Sequence, residues 1–185
     1  MMMYENNDKF VGDFDGNGFK VFGILEYANG DKFSGDFEQG ARKRGVMTFK
    51  SGDEFSGSYQ DGVFEGSGNI KYANGDFYQG EFHNGCKHGQ GVLTLAAESK
   101  TMKLNKPTAK VEDSQKEAVE EADFESGGVF TGDFVNDLMD GNGAFVSTDG
   151  SEYIGKFKEG LQHGEGLLIT KDGTEMFGKW DMGQH

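Results

Sequence analysis

The chain has one proline, one cysteine and one tryptophan in 185 residues, and it is short of basic side chains, with 18 Lys and Arg against 32 Asp and Glu. Each shortage excludes something. A lone cysteine, Cys86, has no mate, so a disulfide framework is ruled out and a reducing compartment is expected. A net charge of -14 argues against nucleic acid as a partner, because phosphate binding depends on Lys and Arg displacing counterions. The same charge disfavours anionic membranes unless positive groups cluster. No stretch approaches the ~20 apolar residues of a membrane span, and MMMYENNDKF at the N-terminus lacks the apolar core of a signal peptide. A soluble, cytoplasmic protein is expected.

What is abundant is glycine, at 31, together with 24 aromatics as 17 Phe, 6 Tyr and 1 Trp, while hydrophobic residues total only 35%. That balance suits a thin repeated sheet better than a globular core. The glycines fall in register. An aromatic recurs at Phe10, Phe33, Phe55, Tyr78, Phe130 and Tyr153, with Met176 in a last fragment, at spacings of 23, 22, 23, 52, 23 and 23 residues. Two places on stands Gly12, Gly35, Gly57, Gly80, Gly132, Gly155 or Gly178, and two further on Phe14, Phe37, Tyr59, Phe82, Phe134, Phe157 or Trp180. A later glycine closes each unit at Gly23, Gly45, Gly68, Gly91, Gly143 and Gly166. Alternation of period two, a turn and a second alternating run predict a hairpin in every unit. The pairs Asn29-Gly30, Ser51-Gly52, Asn74-Gly75, Asp149-Gly150 and Asp172-Gly173 are expected to supply positive φ in the turns between units.

Tyr78 to Gly91 (YQGEFHNGCKHGQG) and Tyr153 to Gly166 (YIGKFKEGLQHGEG) resemble the repeat of the MORN (membrane occupation and recognition nexus) family, with Phe where that repeat usually carries Trp. The resemblance covers residues 10 to about 95 and 130 to 183. It departs in the first copy, where Lys20 and Val21 stand in place of His-Gly, and in the second, which is one residue short near Arg44. The resemblance implies an all-β fold, an elongated single-layer antiparallel sheet of tandem hairpins. At roughly 4.8 Å per strand the array would extend on the order of 60 Å. It also implies protein binding along an aromatic-lined groove, frequent dimerisation, and work in cytoskeletal or ciliary (axonemal) assemblies.

The organisation expected is therefore a flexible segment 1–9, four repeats over 10–95, a charged insertion over 96–129, and two repeats with a C-terminal half repeat over 130–185. In the insertion, Lys100, Lys103, Lys106 and Lys110 precede a run of acids from Glu112 to Glu125. Ser114 with Glu117 reads as a capping box, and Ala118, Val119 and Ala122 as a weak stripe, which predicts a short helix over 114–125; the alternative is a solvated loop.

Parity places the rings and Leu25, Met47, Ile70, Leu93, Phe145 and Leu168 on one face. Phe37, Tyr59, Phe82, Phe134, Phe157 and Trp180 are the expected contacts for a basic or amphipathic segment of a partner protein. The second face is polar in the early copies, but Ile154, Leu167, Ile169 and Phe177 make it apolar near the C-terminus, where a homodimer or partner interface, or cover by the insertion, is expected. The four lysines of the insertion are the strongest sequence support for the rival reading, a phosphoinositide or membrane tether, which the family name also suggests; a further alternative is a homodimeric structural strut.

Chemistry is not signalled. DFDGNG at Asp13–Gly18 matches the first half of a calcium loop, but Ile24 stands where the bidentate Glu belongs, so a hairpin turn is expected. His88 and His163 share one repeat position with Lys20, Glu65 and Asp140, which is a structural pattern and not a convergent ligand set. No nucleophile elbow, phosphate loop or HExxH is present. A non-catalytic scaffold with no metal and no cofactor is expected.

Overall fold

A computed structural model describes residues 1–97 and 127–181. The predicted helix over 114–125 and the lysine series at 100–110 lie outside these residues. The described chain is all-β. It divides into two compact units, Met1–His88 and Gly89–His185.

In the first unit the strands are β1 (Met2–Met3), β2 (Lys9–Phe14), β3 (Lys20–Glu26), β4 (Lys32–Glu38), β5 (Ala41–Thr48), β6 (Glu54–Gln60), β7 (Val63–Lys71) and β8 (Phe77–His83). From β1 to β7, each pairs antiparallel with the next. The second unit holds most of β9 (Cys86–Leu95), then β10 (Gly128–Val135), β11 (Leu138–Ser147), β12 (Glu152–Lys158), β13 (Leu161–Ile169) and β14 (Glu175–Trp180), again paired antiparallel in chain order. The insertion replaces a turn between repeats without breaking the ladder, since Gly91 still pairs Gly132 and Leu93 pairs Phe130.

Glycine pairing explains why the period is so strict. Gly35 and Gly45 sit opposite each other on β4 and β5, and the Phe33 ring lies flat over both. A Cβ on Gly35 would stand 2.9 Å from Phe33 Cζ, and one on Gly45 2.7 Å. Only residues without Cβ let a ring approach the backbone this closely. The first aromatics, Phe10, Phe33, Phe55, Tyr78, Phe130 and Tyr153, are accordingly fully buried in what is locally one sheet layer.

Two kinds of turn link the strands, and the glycines expected to supply positive φ between repeats, Gly30, Gly52, Gly75, Gly150 and Gly173, all do so. Within repeats, Gln39-Gly40, Asp61-Gly62, Asn84-Gly85, Asn136-Asp137 and Glu159-Gly160 have both residues at positive φ, the type I′ geometry whose twist matches flanking strands. Between repeats only the glycine is left-handed, as at Gly30 (φ 98) and Gly75 (φ 92). The residue before it uses its side chain instead: Asn29 Oδ1 accepts the Asp31 N–H at 2.9 Å and Asn74 Oδ1 that of Asp76 at 3.0 Å. The aspartate then reaches across to the next repeat. Asp8, Asp31 and Asp53 accept the N–H groups of Ala28, Lys50 and Ala73 at 2.9, 2.9 and 2.8 Å. These hydrogen bonds tie consecutive repeats together at about 1 kcal/mol or more each.

Residues 1–9 behave as part of this frame and not as a flexible tail. β1 pairs with β2, and Tyr4 N–H to Asp8 O at 2.9 Å repeats the Tyr27–Asp31 bond of the next turn. Asn7, at φ 68, holds the position taken elsewhere by glycine, a substitution asparagine tolerates. The calcium-like loop is a turn in which Asp15 Oδ1 accepts the N–H groups of Asn17 and Phe19.

Candidate binding faces

The face bearing the rings is closed. Phe37, Tyr59, Phe82, Phe134, Phe157 and Trp180, expected to line an open groove, are only 1–7% exposed. Each packs edge-on against the first aromatic of its own repeat or the one before: Phe37 lies 5.1 Å from Phe33 and 5.5 Å from Phe10, and Phe157 lies 5.2 Å from Tyr153 and 4.8 Å from Phe130. Such pairs add roughly 0.5–1.5 kcal/mol beyond burial. The rings are thus the core, and the expected groove is corrected to a packed ridge.

The residues that close it were not identified by sequence reasoning. They pair directly with the second aromatic and are Lys20, Arg42, Phe64, Met139 and Gln162. Lys20 Nζ sits 5.7 Å over the Phe10 ring and 5.4 Å over Phe37. Arg42 sits 5.1 Å over Tyr59, and it donates to Tyr27 Oη at 2.9 Å and to Gly62 O at 2.7 Å. Lys87 likewise lies over the Tyr72 and Tyr78 rings. Long cations on this face cover the rings with their stems and meet the π-clouds with their charge. Lys20 therefore takes the Arg42 role, not the His88 position, because the first hairpin turn is longer and moves the frame by one residue. Burial raises the phenol pKa of Tyr59, an effect Arg42 partly opposes, and in the same way that of Tyr27. Burial alone takes the Tyr153 phenol up to about 12.

Among the described residues, nothing covers the second face. In the first unit, Phe22 is 53% exposed and lies directly between Asp13 and Asp36 on neighbouring strands. Beside it runs the cross-strand row Val11, Ile24, Ser34, Val46, Ser56, Asn69 and Gln79. The row leads into a groove of about 450 Å³ lined by Arg44, Val46, Ser56, Ser67, Asn69, Gln79 and Glu81.

In the second unit, pairing sets Val92, Thr131, Ala144, Ile154, Leu167 and Phe177 side by side on six successive strands. Ile154 is 44% and Phe177 75% exposed, while Leu167 and Ile169 are half-buried. Gln90, Asp133, Asn142, Lys156 and Glu165 line a groove of about 710 Å³, in which a register shift after Gly155 sets Lys156 against His163 while Glu165 pairs Lys179.

The histidines are not gathered into a ligand set. His83 Nδ1 lies 3.0 Å from Glu65, and the His83 and His88 rings are 5.7 Å apart. Among the described residues no three His, Cys, Asp or Glu side chains cluster as a metal site would require. Cys86 is half-buried at the start of β9 and forms no disulfide among the described residues.

The MORN repeat matches residues 55–77, 78–98, 130–152 and 153–175. This is a MORN-repeat protein. The matched stretches coincide with four of the units defined above by a ring laid across a glycine pair. No curated protein matches the chain. The MORN frame extends in the structure beyond the matched residues, since β2 to β5 repeat the same glycine pairing at Gly12–Gly23 and Gly35–Gly45.

Proposed function

We propose that this MORN-repeat protein is a non-catalytic scaffold that holds a basic, amphipathic segment of a partner protein on the uncovered face of its first unit. One observation carries the reading: Phe22 stands more than half exposed between Asp13 and Asp36 on the face that, farther along, holds the groove lined by Arg44 and Glu81. An apolar side chain of the partner would bury against Phe22, Val11 and Ile24, and a flanking Lys or Arg would meet the two aspartates. Burial then supplies affinity, and the acidic surround sets orientation and speeds encounter. The ring stripe supplies the rigid backing. The assembly suggested by the family is cytoskeletal or ciliary, in the cytoplasm.

The test is photo-cross-linking in extract from the native source, with p-benzoylphenylalanine replacing Phe22 in one sample and Phe64, on the ring face, in another. The reading predicts a salt-sensitive protein adduct at 22, lost on competition with the unmodified chain, and none at 64. Phe22→Thr should abolish capture while leaving the melting temperature unchanged, since threonine suits an exposed strand position and adds no charge beside the two aspartates. Adducts confined to 64 would overturn the reading. So would retention on phosphoinositide vesicles that disappears with Lys100, Lys103, Lys106 and Lys110 changed to Glu, an outcome that favours a membrane tether.

A further inference from the structure

We infer, resting on the docking reading above, that the basic segment held by the first unit carries one acidic residue among its basic ones, and that Arg44 is the side chain that recognises it. Arg44 is exposed and lines the groove of about 450 Å³. Among the described residues it makes no hydrogen bond and no ion pair, although Asp36 faces it directly from β4. Nearby lysines are already engaged: Lys43 is paired with Glu38 at 3.0 Å, and Lys9 and Lys32 with Glu26 at 3.4 and 3.7 Å. Ser56, Asn69 and Gln79 line the same groove but offer only neutral groups. An open guanidinium among them is a two-pronged donor suited to a carboxylate.

Strand register sets the order of charges. On one side of Arg44 come Asp36 on β4, Phe22 on β3 and Asp13 on β2. On the other come Ser58 on β6, then Ser67 on β7 paired with Glu81 on β8. At roughly 4.8 Å per strand, Arg44 lies about 10 Å from Phe22 and about 14 Å from Glu81, which an extended chain covers in about three and four residues. A segment whose apolar anchor sits on Phe22 therefore brings an acid to Arg44 about three residues away, with Lys or Arg over Asp13, Asp36 and Glu81 on either side. A uniformly basic segment fits less well, because it sets a cation against Arg44 and leaves the guanidinium uncompensated as water is excluded. The acid thus separates the true partner from any polycation that the acidic surface attracts.

Selection of random phage-displayed peptides of about twelve residues tests this, against the immobilised full chain and its Arg44→Gln, Arg44→Lys and Phe22→Thr variants. The parent is expected to enrich an apolar residue with Asp or Glu about three residues away and Lys or Arg on both sides. Arg44→Gln should keep the apolar and basic positions and lose the preference for an acid, while Arg44→Lys, which keeps the charge, should retain it. Its exposure and lack of partners mean that Arg44→Gln should leave the circular dichroism melt unchanged. In fluorescence anisotropy, replacing the acid of an enriched peptide by its amide should weaken binding to the parent about tenfold and to Arg44→Gln by less than about twofold. Peptides that need Phe22 but carry no acid, or that keep the acid on Arg44→Gln, overturn the inference alone. Peptides indifferent to Phe22→Thr, or a library from which nothing is enriched, overturn the docking reading and the inference with it.

Discussion

Arg42 on one repeat donates to the hydroxyl of Tyr27 on the repeat before it, at 2.9 Å. The same guanidinium reaches Gly62 O at 2.7 Å and lies over the Tyr59 ring, so one side chain bridges three repeats. Arg42→Lys is expected to lose about 1–2 kcal/mol in urea unfolding, nearly as much as Arg42→Met, because an ammonium cannot serve two acceptors in a fixed fork while stacking on a ring. A lysine variant as stable as the parent would show that the stem alone matters.

Gly45 and Gly150 test two different reasons for glycine. Alanine at Gly45 would place its Cβ 2.4 Å from Ser34 O and 2.7 Å from Phe33 Cζ, whereas Gly150 is left-handed, at φ +90, with nothing near. Gly45→Ala should cost about 3 kcal/mol, because strands and ring must separate. Gly150→Ala should cost about 1–2 kcal/mol from backbone strain alone. Equal losses in thermal unfolding would refute the glycine-pair account of the repeat.

Tyr59 and Tyr78 separate ring from hydroxyl. Tyr59 Oη is buried with no hydrogen-bond partner among the described residues, while Tyr78 Oη donates to Glu81 O at 2.9 Å. Tyr59→Phe is expected to be neutral or to stabilise by up to about 1 kcal/mol, and Tyr78→Phe to destabilise by about that amount. Denaturant midpoints of the two variants, which should move in opposite directions, provide the check.

Asp140 and Lys158 make the fold sensitive to pH from both sides. The hydrogen bond from Lys158, at 2.7 Å, is the main reason the Asp140 carboxyl is held below the usual aspartate range. A carboxyl with a lowered folded-state value stabilises the fold above its unfolded value, and that contribution is lost as pH falls through the folded one. The Asp140 partner in turn raises Lys158, so its contribution is present below the usual lysine range and is lost as pH rises through the raised value. Asp140→Asn should flatten both limbs of a stability profile recorded from pH 3 to pH 11. Unaltered limbs would mean that the pair adds nothing.

The period, the hairpins and the two faces were legible in the sequence because a ring over a glycine pair tolerates almost no substitution, so Phe33, Gly35 and Gly45 recur in every copy as a visible frame. Closure of the ring face was not legible. It depends on Lys20, Arg42 and Phe64, residues with no common hydropathy, whose shared role is to lay a long or flat side chain over the second aromatic. Parity also favours reading a single-layer aromatic face as open, since it ignores how far the stems of Lys and Arg reach. Residues 1–9 were misjudged because Asn7 stands where glycine marks the other turns. On the second face, Ile154, Leu167, Ile169 and Phe177 were found from parity, but the register shift that sets Lys156 against His163 has no mark in the hydropathy pattern. Phe22 was passed over because it falls on the polar parity, between two aspartates.

Hydroxyl-radical footprinting of the dilute chain tests most directly the claim that one face is shut and the other open. Phe22 and Phe177, at 53% and 75% exposure, should be oxidised rapidly, while Phe33, Phe55 and Phe130, fully buried, should be protected until the fold is melted. Oxidation of Phe37, Phe82 and Phe157 in the native chain at rates close to Phe22 would contradict the account and return the aromatic stripe to the surface.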